Sequence, residues 1–347
     1  MLSVHKKYIK ECFKLAQKSG LDVLPNPKTG CIIVKDGKII SKGYHEIYGG
    51  YHAERNALLN LSTEEAEGAD LYVNLEPCSH FGKTPPCTDI IIEKKIKRVF
   101  FSNFDTNPKV NGANILKEAG IETTGGILEK EGRELNKVFF KNIEKKLPYV
   151  MLKIATTLDS KIATQNGKSK WITSDKSRLK VMELRSSYQA IMTGSNTVLT
   201  DNPLLTSRIK NGRNPIRIIM DKKGVLKGNE NVFNDDGTKV IVINNSNGKY
   251  PSFVEKVPFE NFDTLMKILF EKGICSIMAE SGQGLNSALI QAGIVDEINH
   301  FVAPKIFGNG LDFVSNLGIF EIKDCKKAKD IKIKRCGEDI LLNYKLE

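Results

Sequence analysis

His52-Ala53-Glu54 is followed, 26 residues after the histidine, by Pro77-Cys78, and further on by Cys87. One imidazole and two thiolates are three good zinc ligands, and a catalytic zinc keeps its fourth position for water. Zinc lowers the pKa of that water to roughly 7, so hydroxide is available near neutrality. Glu54 stands too close to His52 in sequence to be a comfortable second ligand. Its natural work is to take the water's proton and pass it to a departing amine. His-x-Glu followed by Pro-Cys-x-x-Cys is the signature of zinc deaminases. Here eight residues, Ser79 to Pro86, lie between the cysteines instead of two. A structural zinc would need a closed fourth ligand, which His80 or His45 could supply. Glu54 and the proline before each cysteine favour the open, catalytic form.

The elements that must hold these residues alternate in type. Ile9, Cys12, Phe13 and Ala16 recur at helical spacing and predict a helix over 5–18. Strands are expected at 31–34 and 38–40 around the hairpin signal Asp36-Gly37. A helix over 52–61, a strand over 71–75, a helix over 88–95 and a strand over 98–101 follow. That order implies an α/β sandwich with a mixed sheet. The charged stretch 141–148, closed by Pro148, divides the chain into domains 1–145 and 146–347. Beyond it the pattern predicts strands at 150–155, 189–193, 216–220, 239–243, 275–279 and 296–302. Helices are expected near 175–187, 262–272 and 284–292. No internal repeat links the halves, so two different α/β domains are expected.

A chain of 347 residues is about two domains long. Its 40% hydrophobic and 27% charged residues exclude global disorder. No run approaches the roughly 18–20 apolar residues of a membrane span, and the N-terminus lacks the apolar core of a signal peptide. A cytoplasmic enzyme without a membrane partner is expected. Seven cysteines, an odd number, argue against a disulfide framework and for mostly buried thiols. The net charge of +11 would suit either nucleic acid or small phosphorylated substrates. With one tryptophan and no aromatic–basic repeat, nucleic acid is not expected.

The run Leu75-Glu76-Pro77-Cys78-Ser79-His80-Phe81-Gly82-Lys83-Thr84-Pro85-Pro86-Cys87-Thr88 resembles the signature of the riboflavin-biosynthesis deaminases. Pro25-Asn26-Pro27, His52-Ala53-Glu54 and Asp105-Thr106-Asn107-Pro108-Lys109-Val110 are similar to further motifs of that family. These enzymes form the N-terminal half of a bifunctional pyrimidine deaminase–reductase. The resemblance implies a cytidine-deaminase-like α/β/α sandwich. It also implies hydrolytic removal of the 2-amino group from 2,5-diamino-6-(5-phosphoribosylamino)pyrimidin-4-one. It makes His52, Cys78 and Cys87 the zinc ligands and Glu54 the proton shuttle. Asn26, His80, Lys83, Asp105 and Asn107 would contact base, ribose and phosphate. Lys83 offers phosphate a cation, and Asn26 can both donate to and accept from a pyrimidine edge. Thr29 stands where the family usually has Val.

The second half has no Gly-x-Gly-x-x-Gly between an opening strand and a helix, so an ordinary dinucleotide fold is disfavoured. Its nearest glycine-rich element is Glu280-Ser281-Gly282-Gln283-Gly284-Leu285-Asn286-Ser287. Backbone N–H groups at such a turn can cradle a phosphate; taken alone, a plain turn is the better reading. Context changes this. Thr156–Ala163, Ser169–Thr173, Thr197–Arg208, Glu280-Ser281-Gly282 and Ala303–Gly308 occur in an order that resembles the reductase half of the same enzyme.

That resemblance implies a dihydrofolate-reductase-like α/β domain using NADPH. It would reduce the ribosyl chain of 5-amino-6-(5-phosphoribosylamino)uracil to ribityl, with hydride going to the sugar C1′. Ala155, Trp171, Thr197, Asp201, Gly282, Gln283, Gly284, Leu285 and Asn286 would line the NADPH site. Lys153, Ser169, Arg185, Leu205, Arg208 and Glu280 would face the substrate. Ser160, Gln189 and Ser281 stand where the family usually has Gly, Asp and Gly. The two serines add side chains where backbone freedom matters, so a slow reductase is the alternative reading of this half. Family members commonly associate, and a homo-oligomer is expected. The rivals are an RNA-binding base editor, disfavoured by the cysteine spacing, and a zinc-stabilised binding protein, which would tolerate loss of Glu54.

Overall fold

The computed structural model describes residues 2–210 and 212–347. The chain divides into two compact units, Met1–Lys146 and Leu147–Glu347. The seam falls one residue beyond the expected boundary. The stretch read as a charged connection is chiefly the last turns of a helix.

The first unit runs α1 (Leu2–Ala16), β1 (Gly30–Lys35), β2 (Lys38–Tyr44), α2 (Ala53–Leu58), α3 (Thr63–Ala66) and β3 (Asp70–Leu75). It continues through α4 (Cys87–Glu93), β4 (Arg98–Asn103), α5 (Gly112–Glu118), β5 (Glu122–Thr124), α6 (Glu129–Leu135) and α7 (Lys137–Lys145). The strand order is β2-β1-β3-β4-β5, with β1 antiparallel to both neighbours and β3, β4 and β5 parallel. Asp36 and Gly37 both take positive φ, as the two-residue hairpin turn requires. Alternate strand residues point to opposite faces. Ile32, Tyr72 and Phe100 pack with Ile9 and Cys12 of α1. Cys31, Ile33, Val73 and Phe101 instead meet Ala53, Ala57 and Leu58 of α2 and Ile90 and Ile91 of α4. With both faces covered, these strands read as continuous apolar runs. Gly43 lets α2 rest directly on β2, because a Cβ there would collide with the backbone of Ala53 and Ala57.

The second unit runs β6 (Tyr149–Thr157), β7 (Lys161–Thr164), α8 (Asp175–Ser187), β8 (Ala190–Gly194), α9 (Ser195–Asp201), β9 (Ile216–Met220), β10 (Val240–Ile243) and β11 (Glu255–Val257). Then come α10 (Phe262–Glu271), β12 (Ser276–Glu280), α11 (Gln283–Gln291), β13 (Glu297–Ala303), β14 (Gly310–Asp312), β15 (Ala328–Cys336) and β16 (Asp339–Leu346). The large sheet has the order β11-β10-β9-β8-β12-β6-β13-β16-β15. It is parallel from β11 to β13 and antiparallel at β13–β16–β15. One face carries Leu152, Ile154, Met192, Ile218 and Ile277 with Leu289 and Ile290 of α11; the other carries Ile191, Ile219, Val240 and Val242. In open α/β sheets ligands bind outside the carboxyl ends of the parallel strands, where β8 passes into α9 and β12 into α11.

The β15–β16 hairpin is not foreseen by hydrophobic pattern. β15 is rich in lysine and exposed along nearly its whole length; backbone pairing to β16 holds it in the sheet.

Candidate active sites

His52 caps the start of α2 and Cys87 opens α4, while Cys78 lies in the loop after β3. The His52 Nδ1 atom is 3.3 Å from the Cys78 Sγ and 3.6 Å from the Cys87 Sγ. A tetrahedral zinc with bonds of about 2.0–2.3 Å keeps its donor atoms roughly 3.5–3.8 Å apart, so this donor set fits the ion. Among the described residues the metal-capable cluster is these three. Hydrogen bonding from Cys87 and from His52 holds the Cys78 thiol well below the ordinary range, so the cluster carries a thiolate. Glu54, in the first turn of α2, is 4% exposed. Burial, with the Cys78 charge beside it, pushes its carboxyl up to about 7.

Beside the cluster is a cavity of about 170 Å³ lined by Asn26, His52, Cys78, His80, Lys83 and their neighbours. His80 points a buried Nδ1 with no hydrogen-bond partner among the described residues. The Lys83 ammonium rests 4.0 Å over the ring of Tyr48 at the same cavity. Asp105 and Asn107 lie on the loop after β4 and do not line it. Burial, with the Glu76 carboxylate nearby, raises Asp105 to about 6.

One residue here had no role read from sequence, and another takes a different role from the ligand it was offered as. Glu76 accepts from the Ala113 and Asp105 backbone N–H groups at 2.9 and 3.3 Å, and so anchors the Asp105 loop. His45 is no fourth ligand. Its Nδ1 donates to the Tyr51 carbonyl at 2.9 Å, leaving Nε2 to accept from the Asn26 amide at 3.1 Å. That bond leaves the Asn26 Oδ1 as an acceptor.

The second unit holds a cavity of about 1160 Å³. All the residues expected at the cofactor and at the reductase substrate line it. Lys153 and Ala155 come from β6, Thr197 and Asp201 from α9, and Gly282 to Asn286 from the turn opening α11. Ser169 and Trp171 lie before α8, and the Ser169 hydroxyl reaches the Asp201 carboxylate at 3.3 Å. Gly282 and Gly284 leave the start of α11 as bare backbone, and a Cβ at Gly284 would meet nothing within 4 Å. Bare N–H groups opening on a cavity of this size suit a dinucleotide pyrophosphate. Ser281 takes no positive φ; its hydroxyl donates to the Asn286 Oδ1 at 2.7 Å. Ser160, by contrast, sits at φ +65°.

Lys153 and Arg185 are less free than their types suggest. Glu280 accepts from Lys153 at 3.1 Å and from two Arg185 nitrogens at 3.0 and 2.9 Å. Burial raises the Glu280 carboxyl, but the two cations overcome it and hold it at about 2. Arg208 is exposed and has no ion pair among the described residues, so it is the open guanidinium of this cavity. Leu205 and Arg208 have φ of +56° and +58°, conformations that cost non-glycine residues energy and persist where the surroundings enforce them. Lys222 and Lys223, after β9, also line the cavity and were not anticipated. Only their lysine type in a strand-to-loop position could have signalled them.

Residues 2–103 match the model of the cytidine and deoxycytidylate deaminase zinc-binding region, and residues 148–342 match that of the RibD C-terminal domain. The riboflavin biosynthesis protein RibD of Aquifex aeolicus is 41% identical over 352 residues, covering 99% of this chain and 98% of its own. That of Actinobacillus pleuropneumoniae is 41% identical over 356 residues, 97% and 94% of the two chains. The chain belongs to the RibD family. Its structure is similar to that of the Thermotoga maritima diaminohydroxyphosphoribosylaminopyrimidine deaminase/5-amino-6-(5-phosphoribosylamino)uracil reductase. The TM-score is 0.93 at 40% identity, over 100% of this chain and 99% of the other. The RibD of Acinetobacter baumannii gives 0.91 at 32% identity over both whole chains. The protein is thus a bifunctional riboflavin-biosynthesis enzyme. Its cytidine-deaminase-like domain is zinc-dependent, and its dihydrofolate-reductase-like domain uses NADPH. No helix among the described residues is long and apolar enough to cross a membrane.

Proposed function

We propose that the chain runs the two RibD reactions at the two sites described, each with the residues that line it. His52, Cys78 and Cys87 hold zinc, which when bound supplies a Lewis acid that makes water a stronger acid near neutrality. Glu54 removes a proton from the attacking water and returns it to the 2-amino group of 2,5-diamino-6-(5-phosphoribosylamino)pyrimidin-4-one. A C–O bond forms, the C–N bond breaks, and ammonia leaves. The Asn26 Oδ1, oriented through His45, accepts from an amine of the base. Lys83 takes the phosphate and His80 borders the ribose, while Asp105 and Asn107, on the loop after β4 and outside the cavity lining, would reach substrate only if that loop moves toward it.

In the second unit the first turn of α11 and the wall formed by Ala155, Trp171, Thr197 and Asp201 bind NADPH, which when bound supplies the reducing electron pair. Arg208 grips the phosphate of 5-amino-6-(5-phosphoribosylamino)uracil. Ser169 and Leu205 border its sugar. Glu280, held by Lys153 and Arg185, presents a fixed carboxylate to the opened sugar. The Glu280 cluster also argues that Lys153 and Arg185 position that carboxylate more than they bind phosphate.

The observation that carries this reading is the His52–Cys78–Cys87 cluster with buried Glu54 beside it. Seven free thiols fit a reducing, cytoplasmic setting. β15, an edge strand exposed along nearly its whole length and carrying the exposed Ile331 and Ile333, supports a homo-oligomer. Purified chain is incubated with the diaminopyrimidinone phosphate, with and without NADPH, and products are identified by mass. The deaminated product is expected without NADPH and its ribityl form with it. Unchanged substrate in zinc-replete protein would refute the assignment.

A further inference from the structure

Helix α8 is a wall of the large cavity. Arg178, Val181, Met182 and Arg185 all line it, and their i, i+3, i+4, i+7 spacing puts them on one helical face. The helix is tied down at both ends. Near its C-terminus Arg185 is held by Glu280. Its first turn is held by Asp339, the first residue of β16, whose side chain belongs to no site assigned above. Asp339 is fully buried. Its Oδ2 accepts from the Ser174 backbone N–H at 2.8 Å, from the Ser174 hydroxyl at 2.7 Å and from the Ser177 hydroxyl at 2.5 Å. Its Oδ1 is buried with no partner among the described residues. The Cys336 carbonyl, across the same hairpin turn, lies 3.3 Å from each of the two serine hydroxyls. Gly337, at φ +71°, brings the turn this close; a Cβ there would stand 3.0 Å from the Ser174 Oγ.

The segment just before this first turn is Trp171-Ile172-Thr173, and it also lines the cavity. Arg178 ties that segment to the helix. It donates to the Thr173 carbonyl at 2.8 Å, and its guanidinium stands 4.5 Å from the centre of the Trp171 ring. Trp171 is 62% exposed, so little else packs around its ring. The Lys305 ammonium also donates to the Trp171 and Ile172 carbonyls, at 3.1 and 2.7 Å, so the start of α8 and Lys305 together set where the indole stands.

We infer that Asp339 is a positioning residue of the reductase: by clamping Ser174 and Ser177 it fixes the start of α8, and through Arg178 holds the Trp171 ring as a wall for NADPH. Asp339 touches no reactant; its effect passes through the helix. The inference rests on the reading of this cavity as the NADPH site.

The full chain carries a single tryptophan, so its fluorescence reports on Trp171 alone. In Asp339→Ala without NADPH, Trp171 anisotropy should fall and acrylamide quenching should rise. In turnover the KM for NADPH should rise on the order of 10-fold with kcat within about 2-fold, because a wall that binds the cofactor equally in ground and transition states is loosened. Deamination should be unaltered. Asp339→Asn, which keeps an acceptor oxygen for the Ser174 N–H, should restore part of both signals. If Asp339→Ala does not fold, Asp339→Asn is read in its place against wild type. A folded variant with wild-type Trp171 fluorescence and wild-type KM overturns the clamp. A loosened Trp171 with an unchanged KM for NADPH overturns the reading of the indole as a cofactor wall, and with it the role of Asp339.

Discussion

The two sites are built on opposite plans. In the first unit the chemistry is concentrated: the ligands fall between His52 and Cys87, two of them at helix starts, around a cavity of about 170 Å³. In the second a cavity of about 1160 Å³ draws its walls from Lys153 to Leu311, from the ends of several strands. The first site depends on residue types that do the work wherever they are brought together, because thiolate, imidazole and carboxylate each carry their chemistry with them. The second depends on placement. Its polar side chains are common types, and three of them, Lys153, Arg185 and Glu280, satisfy one another before any ligand arrives.

Substitutions at the two sites test whether they work independently. Glu54→Gln should lower kcat for deamination by about 10³-fold, the usual scale for a lost acid–base group, with zinc content and NADPH-dependent reduction intact. Metal analysis and separate assays of the two steps check this, and a parallel loss of reduction would deny that the sites are independent. Arg208→Ala should raise the KM for the phosphorylated sugar roughly 10-fold in reduction, as expected for one charge-assisted contact. Steady-state kinetics on supplied deaminated substrate measures it; an unaltered KM would move the phosphate elsewhere in the cavity.

The Glu280 cluster predicts an acid dependence. An unfolded glutamate titrates near pH 4.3, whereas the two cations hold Glu280 at about 2 against the effect of burial. Its contribution to stability is complete above about 4.3 and is lost as the pH falls toward 2. Thermal unfolding followed through that window should be flatter for Glu280→Gln than for wild type. Superimposable profiles would mean that Lys153 and Arg185 do not stabilise the carboxylate. The smallest effect is expected at Ser160, which holds a left-handed backbone at φ +65°. Ser160→Gly relieves a left-handed strain of roughly 1–2 kcal/mol against a glycine entropy cost of roughly 0.5–1 kcal/mol, so the second unit should gain about 0.5–1 kcal/mol, read from denaturant midpoints; a decrease would show that the hydroxyl matters more than the strain.

Much of the fold was legible because the strands of both units are buried on two faces and read as apolar runs, as at Cys31–Val34 and Val240–Ile243. Helices with strong caps were equally plain; Ser174 opens α8 where expected, at Asp175. The β15–β16 hairpin escaped because an exposed, lysine-rich edge strand has no hydrophobic period, and its pairing is a matter of backbone hydrogen bonds. At the sites the pattern is similar. The zinc cluster could be named from residue type and spacing, whereas the roles of His45, offered only as a possible fourth ligand, and of Glu76 could not, since each acts by orienting another residue.

Sequence alone therefore determined the chemistry of the first site and the order of the main buried strands and the helices that cover them, because ligand type and hydrophobic period are local properties of the chain. Tertiary structure alone decided which cations are spent on Glu280 and which, like Arg208, remain open. It also decided that a carboxylate at position 339 grips a helix that starts at 175. Such pairings join residues more than 90 positions apart, and hydrogen bonds and Coulomb forces act over a few ångströms of space whatever the separation along the chain.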